Sequence, residues 1–161
     1  MTLKTTLLFA AILFFSSVYS QDTTKVKQID ALVSYINTSD FKIQRDTIKN
    51  DQPQMGLSIR TYLTMVTDGS ELKKYVNNVQ GTTQENGTAK QMIATNIFYF
   101  DHNKLIKVEE SATQDDKKID ALWYYADDKP IYYTLKTDKA QERAELLLTM
   151  AKSMLQTMSF K

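Results

Sequence analysis

The chain has 161 residues, 20 of them basic and 19 acidic, with one histidine and no cysteine. That length suits one domain with a sizeable core. A net charge of +1, mixed in sign along the chain, lacks the basic stripe of a nucleic-acid binder, and the missing thiols exclude cysteine catalysis, disulfides, iron–sulfur ligation and cysteine zinc sites.

Residues 1–20 read as a cleaved secretory signal peptide. Lys4 is the positive start, Leu7 to Phe15 is apolar, and Ser16-Ser-Val-Tyr-Ser20 supplies small residues before Gln21. The apolar run is shorter than the roughly 20 residues of a spanning helix. No cysteine follows it, so lipoprotein attachment through a thiol is excluded. The expected mature domain is 21–161, with 19 basic and 19 acidic residues and no transmembrane span. The Ser-Gln junction is similar to cleavage sites of exported Bacteroidota proteins. That resemblance implies a compartment, periplasmic or secreted, and no activity.

Asp22-Thr-Thr offers N-caps to a first helix. Val26, Ile29, Leu32, Val33 and Ile36 recur at spacings of three and four, and the helix should end near Asn37–Asp40. Phe41 to Ile48 reads as a strand interrupted by Arg45, and Asn50–Pro53 as a turn. Leu57 to Met65 alternates apolar with polar and predicts a half-buried strand. Asp68-Gly-Ser-Glu71 is spaced as a capping box. It predicts a short helix from Ser70 to Val79 that buries Leu72, Tyr75, Val76 and Val79. Gln80 to Lys90, polar and containing Gly81 and Gly87, reads as a mobile loop.

Ile97 to Leu135 is the densest strand-forming stretch. Two hairpins are expected, closed by Asp101-His-Asn-Lys104 and Asp127-Asp-Lys-Pro130. Strict alternation then sorts the side chains into two faces. One holds Ile97, Tyr99, Ile106, Val108, Leu122, Tyr124, Ile131, Tyr133 and Leu135, the natural core. The other holds Phe98, Phe100, Leu105, Lys107, Trp123, Tyr125, Tyr132 and Thr134. Five aromatics on a second face admit two readings. A further layer could pack there, or the face could be a ligand or partner surface. Ser111 to Lys118 joins the hairpins, either as a longer connection or as an extended hairpin end.

Thr137 or Asp138 should cap a last helix. Its stripe runs through Ala140, Ala144, Leu147, Ala151, Met154, Leu155 and Met158. The expected fold class is α+β. It is a single domain with a mainly antiparallel sheet of about six strands, a meander of hairpins packed with N- and C-terminal helices.

No catalytic, metal or cofactor motif emerges. His102 is the sole histidine and lies in a predicted turn without a nucleophile setting. The pairs Glu109-Glu110, Asp115-Asp116 and Asp127-Asp128 are strand neighbours pointing apart, or turn residues, rather than a facing glycosidase pair. No phosphate-cradling glycine loop is present. The favoured function is an exported, non-enzymatic binding domain. Its ligand face would use Phe98, Phe100, Trp123, Tyr125 and Tyr132, with Lys107 at the rim. The ligand would be a protein or peptide, a glycan or a small apolar molecule. The alternatives are an envelope assembly protein and a hydrolase with a dispersed site.

Overall fold

Helix α1 (Thr23–Thr38) leads into strands β1 (Lys42–Gln52), β2 (Leu57–Asp68), β3 (Glu71–Glu85), β4 (Thr88–Asp101), β5 (Lys104–Gln114), β6 (Lys117–Ala126) and β7 (Lys129–Tyr133), and helix α2 (Ala140–Thr157) follows. A computed structural model describes residues 23–52, 54, 57–85, 88–114 and 117–158. The leader expected over residues 1–20 and the cap expected at Asp22 lie outside the described residues. All strands pair antiparallel with their sequence neighbours, so the sheet order is β1 through β7. The α+β class with an antiparallel meander and two terminal helices is as expected, with seven strands rather than about six.

The extra strand is β3. The segment expected to be a helix over Ser70–Val79 pairs with both β2 and β4. Asp68 pairs with Glu71, so Asp68-Gly-Ser-Glu71 is a tight hairpin turn with left-handed Gly69 at φ 58°, not a capping box. A bulge then places Leu72 opposite Thr67 but Lys74 opposite Val66. The unpaired Lys73 lets Leu72 and Tyr75 share one face, the i, i+3 spacing that imitates a helix. Gln80 to Glu85 continues β3, and Thr88 to Lys90 opens β4, where a loop was expected. Ser111–Gln114 and Lys117–Lys118 extend the β5–β6 hairpin.

Both central hairpins close as foreseen in place but carry unforeseen bulges. His102-Asn103 and Asp127-Asp128 are two-residue turns with every φ positive, between 49° and 60°. Phe100 pairs with Leu105, yet Tyr99 pairs with Lys107, so Ile106 is the extra residue. In the second hairpin Ala126 pairs with Lys129, not Ile131. Tyr124 pairs with Tyr132, and Tyr125 with Pro130. Each bulge turns two consecutive residues to one side.

The core therefore has two layers, one on each side of the sheet. On one side α1 lays Ile29, Val33 and Ile36 against Tyr99, Ile106 and Tyr124. On the other, α2 lays Ala140, Ala144, Leu147 and Ala151 against Phe98, Phe100, Leu105, Val108, Trp123 and Tyr125. Three alanines bring the α2 backbone close to the sheet, and the aromatic rings fill the volume the small side chains leave. α2 begins without its expected side-chain cap. Lys139 is the N-cap residue and makes no side-chain cap bond, while the Ala140 amide donates to the Thr137 carbonyl at 3.1 Å.

Candidate functional site

The aromatic face expected to receive a ligand is a packed layer. Phe98, Phe100, Trp123 and Tyr125 are all 0% exposed. The Tyr125 hydroxyl donates to the Ala144 carbonyl at 3.0 Å, pinning α2 above it. Burial pushes the Tyr125 phenol up from its ordinary value. A ligand could reach these rings only by displacing α2. Tyr132 and Lys107 lie on the opposite side of the sheet because of the two bulges. Tyr132 stacks against Tyr124 at a ring separation of 5.6 Å. Val108 and Tyr133 take the reverse exchange and join the α2 layer. The six residues thus form no common surface.

Lys107 instead anchors α1. Its ammonium lies 2.9 Å from Asp30 Oδ1 on α1 and 3.0 Å from Glu109 Oε1, and 5.0 Å above the Tyr124 ring. The Tyr124 hydroxyl donates to the same Asp30 oxygen at 3.0 Å. Burial alone would lower the Lys107 pKa, but hydrogen bonds to Asp30 and Glu109 outweigh it and hold the ammonium above the ordinary lysine value. Next to it, Asn37 bridges Lys74, at 2.7 Å, and the Tyr99 hydroxyl, at 3.4 Å. This cluster fastens α1 through a buried ammonium whose carboxylate partners keep part of their surface in water.

An open surface begins where α2 begins. Helix α2 covers one end of the long strands and leaves the other end bare. On that side a row runs in register across six strands: Ile48, Thr61, Val79, Ala94, Ala112 and Ile119. The neighbouring row on the reverse side is Thr47, Tyr62, Asn78, Thr95, Ser111 and Asp120. One row is apolar apart from Thr61 and the other is polar apart from the Tyr62 ring, the alternation of a sheet built to be wet on one face only. Yet Ile48 and Ile119 are 53% and 62% exposed. Against this apolar row, under the first turn of α2, lies a cavity of about 400 Å³. Ala94, Ala112, Ile119, Ala121 and Leu135 form its apolar wall, and Glu110, Lys139 and Arg143 its charged end.

Glu110 and Arg143 meet there through a forked ion pair, Arg143 Nε and Nη2 donating to the two carboxylate oxygens. Glu110 faces α2 while its neighbour Glu109 faces Lys107 on the other side, the divergence expected of adjacent strand residues. Sequence reasoning misses this groove because Val79 falls in an expected helix, Gln80–Lys90 reads as a loop, and Ser111–Lys118 is left open between a longer connection and the hairpin extension it is. The signal was present: Val79, Ala94, Ala112 and Ile119 each sit beside a polar neighbour.

A second depression, about 300 Å³, joins His102 and Asp127 near the start of α1. His102 is 80% exposed, and its Nδ1 lies 3.0 Å from the adjacent Asp101 carboxylate. No serine or threonine is among its described lining residues, and Tyr125 in its wall already donates to Ala144. The arrangement supplies a proton carrier without a positioned nucleophile. Among the described residues no three His, Asp or Glu side chains are grouped to hold a metal ion, and no helix is long and apolar enough to cross a membrane. No protein-family model, curated protein or solved structure matches this chain.

Proposed function

We propose that this protein is a binding domain that works outside the cytoplasm, periplasmic or secreted, and holds the apolar part of a ligand in the groove between the start of α2 and the bare end of the sheet. The observation that carries this reading is the uncovered apolar row beside the 400 Å³ cavity. Water against such a row is costly, at roughly 25 cal/mol per Å² of apolar surface, and a ligand that covers it recovers that free energy. The cavity lies within the size range of small-molecule sites. Export is supported by the leader-like pattern of residues 1–20. The original ligand face is given up, because α2 occupies it.

The test is an amide NMR titration with dodecanol as a neutral apolar probe. Shifts should cluster on Ala94, Ala112, Ile119 and Ala121. They should vanish in Ala112→Trp, which fills the groove from an exposed position. Shifts spread over α1 and β7, or unchanged by Ala112→Trp, would refute the assignment.

A further inference from the structure

We infer that the ligand of this groove is a single acyl chain with a singly charged anionic head, its head held by Lys139 and Arg143. The inference rests on the groove being the binding site, and two observations narrow the ligand. The first is area. The apolar row crosses six strands, about 24 Å at ordinary strand spacing, and with the apolar part of the next row the strip is two same-side positions deep, some 14 Å. The product is on the order of 350 Å², well under the roughly 800 Å² per partner of a stable protein interface. A second copy of the chain or a folded partner is too large an occupant, and a narrow apolar chain fits. In the neighbouring row Ile59, Gly81 and Met92 continue the strip away from α2 over β2 to β4, with Asn50 at one end of the row and Gln114 and Lys117 at the other. A Cβ at Gly81 would stand 3.6 Å from the Met92 methyl, in ordinary contact.

The second observation is charge. Glu110, Lys139 and Arg143 are the charged side chains that line the cavity, giving an excess of one positive charge. All three lie at its α2 end. Asp138 and Glu142 neighbour the same helical turn but do not line it. Lys139 is the N-cap of α2 and makes no cap bond, so a cation stands where the helix dipole is already positive. An anion placed there relieves both. Glu110 occupies the Arg143 fork, which leaves the remaining guanidinium donors and Lys139 for a head carrying one charge.

The test compares three probes of equal chain length by calorimetry: dodecanoate, dodecanol and dodecyltrimethylammonium. Dodecanoate should bind roughly tenfold tighter than the other two, the size of one charge-assisted contact at a half-exposed site. Lys139→Glu should abolish that preference, and Ala112→Trp should abolish binding of all three. Equal affinity for the three probes would overturn the anionic head while leaving the groove reading intact. Failure of every probe, or dodecanoate binding unchanged in Ala112→Trp, would overturn both.

Discussion

Replacing Lys107 tests whether the polar cluster beneath α1 holds the helix in place. Lys107 is 7% exposed and makes charge-assisted contacts at 2.9 and 3.0 Å to Asp30 and Glu109. Removing one partner of a fully buried pair costs about 3–5 kcal/mol. Asp30 and Glu109 keep 47% and 31% of their side-chain surface in water, so both rehydrate once the ammonium is gone. The expected loss for Lys107→Ala therefore falls to about 2–3 kcal/mol, part of it from the aliphatic stem. Lys107→Met keeps most of the stem and separates the two contributions. Urea denaturation of Lys107→Met, Asp30→Asn and the double variant gives the coupling directly. A value near 1 kcal/mol is expected, and one below about 0.3 kcal/mol would mean that the contact does not fasten α1.

Stability should be flat to about pH 9 and fall above about pH 10. Burial raises the folded-state pKa of Tyr75, Tyr99, Tyr124 and Tyr125 above 10.0, so their contribution is complete below the unfolded value. It is lost as pH climbs through the window between the unfolded and folded values, at about 1.4 kcal/mol per pH unit for each group. Tyr125→Phe should cost about 1 kcal/mol at neutral pH through the lost bond to Ala144, and its alkaline fall should be shallower. Parallel curves above pH 10 would contradict the assignment. Replacing Asp127-Asp128 with Asn-Gly should stabilise the chain by about 1 kcal/mol, because both aspartates hold left-handed φ near 50° and 60°. Thermal melts should rise by about 3 °C, and a fall would mean that the carboxylates contribute more than the strain they carry.

The periodic parts of this fold are legible in the amino-acid order. The stripe Ile29, Val33 and Ile36 is the buried face of α1, and Ala140, Ala144, Leu147 and Ala151 that of α2. The alternation in Leu57–Met65 and the two central turns also lie where expected. What fails is strict alternation past a bulge. Lys73 made Leu72 and Tyr75 imitate a helix. Ile106 moved Lys107 to the α1 side, and Ile131 did the same for Tyr132. A bulge adds a residue without any change of composition, so two-residue periodicity cannot register it. The groove was hidden for a related reason. Gln80 and Lys90 belong to paired strands, Gln80 on the α1 side and Lys90 on the α2 side, and their polarity alone reads as loop.

The position of α2 after all seven strands also sets an order of assembly. A meander adds each strand to the one before it, so β1 to β7 can pair as they are synthesised, with contacts that are mostly local. The burial of Phe98, Phe100, Trp123 and Tyr125 has no such local solution. It waits for Leu147 and the alanines on either side of it, which leave the ribosome after every strand they cover. A nascent or truncated chain that stops before Ala140 holds its largest aromatic surface open, in the form that chaperones and proteases recognise. Release from that state is then a single event, the arrival of one helix.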